Sequence, residues 1–227
     1  NYGFDYASAF IGAGSKFNIS PLQLATRIKQ ETSDSGSIST TGETFVFSID
    51  NNCRYNYRND TPWNLENNCG NDKTYSGLYN FYNIGAYGYY MKPAIRGLIW
   101  ANGGFDGSIT SYNRPWNSPE KTIYGGAEYI SENYISQGQD TIYFERFNVK
   151  PGATNSTYSH QYMTNIRAHS SEAYKNYQTY SKTNSLNNSF EFLIPVYENM
   201  PGETSTAPDP TPNPDPGTDV TTSLDTI

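Results

Sequence analysis

Charge, cysteine and long apolar runs are all scarce in this chain. Of its 227 residues only 16% are Asp, Glu, Lys or Arg, and the balance is acidic, with a net charge of −7. No Lys/Arg-rich stretch stands out, which argues against a nucleic-acid footprint. No segment approaches the roughly 18 consecutive apolar residues that a membrane-spanning helix needs. With two His and two Cys in all, a zinc site is not expected, and neither is any other metal or cofactor. No signal peptide heads the sequence, which starts at Asn1 without Met; this reads as a processed or excised piece. Cys53 and Cys69 either staple the irregular stretch between them, as secreted proteins permit, or remain free thiols.

What the chain has in excess is tyrosine: 21 Tyr, beside 3 Trp and 11 Phe. A flat ring with a polar tip suits a sugar, whose C–H faces are rimmed by hydroxyls, and it suits a semi-polar core equally well. Composition does not separate the two. An Asn/Ser/Thr/Tyr-rich, Cys-poor chain with a proline-rich end nevertheless reads as extracellular.

Periodicity divides the chain into elements. Residues 4 to 17 and 20 to 32 read as two helices, and the alternation in "ETFVFSID" reads as one short strand, suited to a hairpin. A third helix is expected within 91 to 102. A fourth starts at Ser118-Pro119-Glu120, an N-cap followed by proline at the first helical position, and carries the stripe Ile123, Ala127, Ile130, Tyr134. A further helix is expected at 168 to 182 and a terminal strand at 190 to 197, "FEFLIPVY". From Pro201 the character changes. "PDPTPNPDP" alternates proline with short polar residues, as a stiff, extended spacer does. A catalytic or binding domain over 1–200 and a linker over 201–227, leading to another module, is the expected organisation.

The second helix holds an anomaly. Ser20 and Gln23 form a capping box around Pro21, and Leu24, Ile28 and Glu31 then fall at i, i+4 and i+7 on one face. Arg27, Lys29 and Gln30 read as its solvated side. The apolar stripe therefore ends in a carboxylate, in the last turn, just before a Ser/Gly-rich break. The negative end of the helix dipole and partial burial both favour the protonated acid there. A proton-donating carboxyl group needs both pressures.

Four segments then line up: "RIKQE" (27–31), "YNFYNIGAY" (79–87), "SPEKTIYGGAEYI" (118–130) and "HQYMTNI" (160–166). In order and spacing they resemble the glucosaminidase domain of bacterial autolysins, glycoside hydrolase family 73, in its clostridial and staphylococcal wall-lytic branch. The resemblance spans roughly residues 5 to 200. It implies an α+β, mainly α, lysozyme-like fold, with a helical lobe and a small β-lobe flanking a substrate groove. It also implies cleavage of the β-1,4 bond after N-acetylglucosamine in peptidoglycan strands, with Glu31 as general acid. Asn83 and Gly85 match the turn facing that acid, Tyr87 the residue near the 2-acetamido group, and Gln161 and Tyr162 the opposite wall. Tyr124 is taken with them as a substrate contact. Gly125 and Gly126 interrupt their helix at about 1 kcal/mol each relative to Ala, which close packing against the site helix would explain. Trp63, Trp100 and Trp116 suit either sugar platforms or the core.

One feature departs from that family. Glycosidases usually need a partner carboxylate, yet no Asp or Glu occurs between Asp72 and Asp106, and Gly88 stands where relatives often carry Asp. Glu43 and Asp72 are candidate substitutes. Otherwise the substrate's own acetamido oxygen serves as nucleophile. The expected partner is the peptidoglycan glycan strand, met outside the cell by a monomeric domain, with no nucleic acid and no membrane insertion. The rivals are a muramidase or lytic transglycosylase of the same fold, a non-catalytic peptidoglycan-binding module and a surface adhesin.

Overall fold

The computed structural model describes residues 3–32, 37–48, 72–88, 92–162, 165–200 and 202. Cys53, Cys69, Trp63 and the proline-rich spacer lie outside them, so neither the staple nor the linker enters the description. The chain forms two compact units, Asn1–Gln137 and Gly138–Ile227.

In the first unit, α1 (Tyr6–Phe17) is capped by Asp5, whose carboxylate accepts from the Ser8 N–H at 3.0 Å. It ends at Asn18 in the left-handed conformation. Helix α2 (Pro21–Thr32) starts where expected, and Ser20 Oγ accepts from the Gln23 N–H at 3.4 Å. A one-turn helix α3 (Ile38–Thr41) follows, started by Ser37 and not foreseen, because four residues carry no periodicity. Strand β1 (Phe45–Ser48) pairs antiparallel with β2 (Asp72–Tyr75), with Phe45 opposite Tyr75 and Ser48 opposite Asp72. The period of two in β1 is plain: Phe45 and Phe47 are buried, while Val46 is 58% exposed.

Phe45 and Phe47 pack with Tyr75, Leu78, Phe105 and the Leu98-Ile99 pair of α4 (Pro93–Asn102). Each such fully buried side chain contributes about 1.5–3 kcal/mol of transfer free energy. Helix α5 (Pro119–Asn133) is capped by Ser118, which accepts from Lys121 N–H at 3.2 Å. Its stripe of Ile123, Ala127, Ile130 and Tyr134 is buried throughout, and the helix packs on α1. The unit is mainly α with a small two-stranded sheet, as the α+β reading expects.

The structure corrects two expectations here. Arg27 and Gln30 do not form a solvated face; both are buried, and of the three only Lys29 is exposed. Periodicity marks a long polar side chain as outward, but tertiary partners can bury it. Arg27 lies close enough to the fully buried Tyr82 for its charge to act on that ring, opposing the strong upward push of burial on the hydroxyl's pKa. Nor do Gly125 and Gly126 accommodate α2. A Cβ at Gly126 would run into the Tyr82 ring, and one at Gly125 into Tyr112 O and Trp116 Nε1. The Tyr82 and Trp116 rings and the Tyr112 carbonyl, not α2, demand these glycines.

The second unit holds α6 (Ile142–Phe147), capped by Thr141, and α7 (Ala168–Lys182), which packs against it. Helix α7 has the expected bounds; α6 is too short to show in the sequence. Residues 190–197 are not a strand. Phe192, Ile194 and Val196 are 78%, 78% and 82% exposed, so the alternation places neither face in a core. Pro195 also offers no N–H to a ladder.

Candidate active site

Glu31 occupies the last turn of α2 and is half-buried. The turn after Tyr82 meets it there. Asn83 Nδ2 donates to the Glu31 backbone carbonyl at 2.7 Å and lies 3.4 Å from its carboxylate Oε2. One amide thus donates to a helix-end carbonyl, which would otherwise lack an intrahelical donor, and steers the carboxyl group beside it. On the other side, the Ser39 hydroxyl donates to Asn83 Oδ1 at 3.4 Å, and Ser39 Oγ pairs with Ser37 Oγ at 2.5 Å. Ser39, only 1% exposed, orients the amide that orients the acid. Nothing in the sequence singled it out, because its role depends on a contact 44 residues away.

The turn itself is fixed by Asn80, which is fully buried. Its Nδ2 donates to Ile84 O and Gly97 O, both at 2.8 Å, and its Oδ1 accepts from Ile84 N–H at 3.1 Å. The backbone N–H of Asn80 donates to Ser39 O at 2.8 Å, and that of Phe81 to Thr122 Oγ1 at 3.2 Å. Helices α3, α4 and α5 therefore all hold this turn. Asn83 sits at φ +50°, which Asn tolerates better than most residues. Gly85 is at φ +73°, and a Cβ there would lie 2.7 Å from Trp100 Cγ, so both backbone and space require glycine.

Tyr87 is 51% exposed, with the Arg96 guanidinium 3.3 Å from its ring centroid. Arg96 also donates to Gly85 O and to the Tyr87 hydroxyl, which fixes the ring at the end of the turn. Trp116 is wholly buried and belongs to the core. Trp100 is half-buried, stacked on Tyr112 at 6.2 Å, with Arg114 4.1 Å from its ring. Tyr124 is engaged elsewhere: its ring packs on Phe17 of α1 at 6.5 Å, with Lys16 6.0 Å away. This packing lies between α1 and α5 and leaves the ring half-buried.

Of the candidate second carboxylates, Glu43 is exposed in the loop before β1, where its N–H donates to Thr41 Oγ1 at 3.4 Å. Asp72 opens β2. In the second unit, Gln161 is exposed and Tyr162 half-buried; the Tyr162 N–H donates to Glu145 O at 3.0 Å. Among the described residues, no group of three His, Cys, Asp or Glu is arranged to hold a metal ion, and no helix is long and apolar enough to cross a membrane.

No protein-family model matches the chain. It is, however, 28% identical over 178 residues to a β-N-acetylglucosaminidase of Bacillus subtilis, across 77% of this chain and 15% of that protein. It is 32% identical over 127 residues to a bifunctional autolysin of Staphylococcus epidermidis, across 56% of this chain and 8% of the autolysin. The chain is similar to the autolysin glucosaminidases. Its motifs imply the same relationship. Among solved structures, S. aureus autolysin E aligns with a TM-score of 0.48 at 22% identity, over 78% of this chain and 59% of that one. The glucosaminidase-like chain spans less than a sixth of the length of these two curated relatives.

Proposed function

We propose that this chain is a peptidoglycan hydrolase, an endo-β-N-acetylglucosaminidase that cuts the β-1,4 bond after N-acetylglucosamine, with Glu31 as general acid. The observation that carries the reading is the contact between two separate motifs. The acid ending α2 and the amide of the "NIGA" turn are joined through Asn83 Nδ2, 2.7 Å from Glu31 O and 3.4 Å from Oε2. A general acid must present its carboxyl group to the leaving oxygen in one orientation, and this amide restricts its rotation.

In this reading residues 1–200 form the catalytic domain and 201–227 a linker, and the protein works outside the bacterial cell as a monomer on the glycan strand. Asn83, Gly85 and Tyr87 contribute the wall beside the acid, and Gln161 and Tyr162 also bind the glycan. Glu31 gives its proton to the glycosidic oxygen as the C–O bond to the anomeric carbon breaks. The carbonyl oxygen of the 2-acetamido group bonds to that carbon from the opposite face, forming an oxazolinium. Water then adds to the anomeric carbon, the Glu31 carboxylate takes the water's proton, and the acetamido group is restored. One carboxylate suffices for this sequence, in keeping with substrate-assisted glycosidases.

Reductive labelling of digested walls followed by mass spectrometry tests the bond cut. Reduced N-acetylglucosamine at the new ends is the expected product. Reduced N-acetylmuramic acid would make the protein a muramidase, an anhydro end a lytic transglycosylase, and binding without new ends a non-catalytic module.

A further inference from the structure

Helix α6 carries an arginine in an unusual place. Arg146 is only 6% exposed, yet it reaches the "HQYMTNI" segment at two points. Its Nη1 donates to Gln161 Oε1 at 2.7 Å, and its Nε donates to the Asn165 carbonyl at 3.2 Å. The segment is bolted down elsewhere as well. Buried Gln139 donates through Nε2 to His160 O at 2.9 Å, its Oε1 lies 3.0 Å from His160 Nδ1, and Tyr162 N–H donates to Glu145 O at 3.0 Å. Against this fixed backbone the Gln161 side chain is exposed, and among the described residues its other contact is Nε2 to Tyr158 O at 3.5 Å, the outer limit of a hydrogen bond.

Guanidinium has five N–H donors and no acceptor, so only the oxygen end of an amide can face it. The orientation of Gln161 is thereby forced: Oε1 is committed to Arg146, and the Nε2 donor is the end offered outward. We infer that Arg146 is a positioning residue that sets Gln161 as a hydrogen-bond donor, so that Gln161 recognises an acceptor on the glycan, the carbonyl oxygen of an N-acetyl group. The inference rests on the proposed glucosaminidase reading, in which Gln161 contacts the strand. A buried charge at this position is costly to maintain for structure alone, since a neutral residue could fill the space. It is well used if it selects which end of an exposed amide faces the ligand.

Gln161→Glu is the discriminating variant. It keeps the shape and gives Arg146 a carboxylate to hold, so the fold persists, but it replaces the outward donor with an acceptor. Binding of N-acetylated and chemically N-deacetylated glycan strands of equal length is measured by calorimetry, in the full chain carrying Glu31→Gln so that strands stay intact. The Glu31→Gln parent should prefer acetylated strands. Adding Gln161→Glu should weaken acetylated binding by about tenfold, the scale of one lost hydrogen bond plus a misplaced charge. It should also tighten binding of deacetylated strands, whose ammonium groups suit a carboxylate. Arg146→Lys retains the charge but cannot serve Gln161 and Asn165 together. Its preference for acetylated strands should narrow without inverting. If Arg146→Lys does not fold, Gln161→Glu carries the test alone. An unchanged ratio of the two affinities in Gln161→Glu would overturn the inference. Cleavage by the Glu31→Gln parent would instead overturn the underlying reading of the site, so the two failures are distinct.

Discussion

The two motifs that carry the resemblance each centre on one amide side chain, and they use it in opposite ways. Asn83 is half-buried and turned toward the protein: Ser39 holds its oxygen, and its nitrogen serves the carbonyl and carboxylate of Glu31. Gln161 is exposed; a buried arginine holds its oxygen at 2.7 Å, and its nitrogen makes only a long contact to Tyr158 O, 3.5 Å. Under the proposed function, the same functional group is scaffolding in one motif and a recognition element in the other. The difference comes from the neighbours. A hydroxyl and a helix-end carbonyl hold Asn83 at both ends, whereas Gln161 is held firmly by a donor-only guanidinium at one end and by a 3.5 Å contact at the other. Sequence patterns mark both residues and cannot assign these roles, because an amide has the same donors and acceptors wherever it stands.

The strongest way to break the comparison is to remove what Asn83 serves. Glu31→Gln preserves size and the contact from Asn83 but takes away the transferable proton. Loss of a general acid costs about 10²–10⁴-fold, so wall-clearing activity measured by turbidity should fall by at least 10²-fold while wall binding persists. A variant that still clears walls would remove the catalytic assignment altogether.

A smaller effect comes from the packing behind the turn. Gly126→Ala drives a Cβ into the ring of Tyr82, which directly precedes Asn83. Overpacking of a core typically costs about 1–3 kcal/mol, and the variant should lose that much in a denaturant titration. Because the strain falls on the Asn83 motif, activity at a temperature where the protein stays folded should drop too. Unchanged activity would mean that the turn tolerates displacement.

The site was legible in the sequence where local chemistry decides, and illegible where distant partners do. Helices α2, α5 and α7 announced themselves through caps and periodicity, and Phe45 and Phe47 through alternation. Glu31 stood out because a carboxylate ended an apolar stripe. Residues 190–197 carried the same alternation as β1 and formed no strand, since a strand needs a neighbour for its ladder and a local pattern does not guarantee one. Arg27, Gln30 and Arg146 are buried against the usual rule for long polar side chains, and Ser39 and Asn80 matter through contacts across the chain. None of these five could be assigned from spacing. Tyr124 lies within a family motif, and its packing on Phe17 depends on a partner more than a hundred residues away that no motif shows.

Asn83→Gly sharpens the comparison further. Glycine accepts the φ of +50° at that position, so the backbone is spared and the amide alone is lost. Glu31 would keep its proton but lose its orienting contact. Activity should fall by about tenfold, roughly 1.4 kcal/mol, which is less than in Glu31→Gln. Asn83→Ala should be slower still and less stable, because a Cβ in the left-handed region adds about 1 kcal/mol or more. Equal activity in Asn83→Gly and the parent would show the amide to be incidental.

The smallest expected effect tests whether any other carboxylate shares the chemistry. Glu43 is exposed in the loop before β1, and Asp72 begins β2. If either activated water, its loss would cost on the order of 10²–10⁴-fold, as for any general base. If the acetamido oxygen is the nucleophile, Glu43→Gln and Asp72→Asn remove a charge that takes no part in the chemistry. Each should then change kcat/KM by less than about threefold, the range of a weak surface interaction. The same hypothesis makes a demand on the substrate: fully N-deacetylated strands lack the nucleophile, so the intact enzyme should leave them uncut at concentrations where acetylated strands are cleaved. The two measurements guard each other. A large loss in either variant together with turnover of deacetylated strands would identify a second carboxylate and an enzyme-supplied nucleophile or base. Small losses with resistant deacetylated strands would leave Glu31 as the one catalytic carboxylate, with the substrate completing the site.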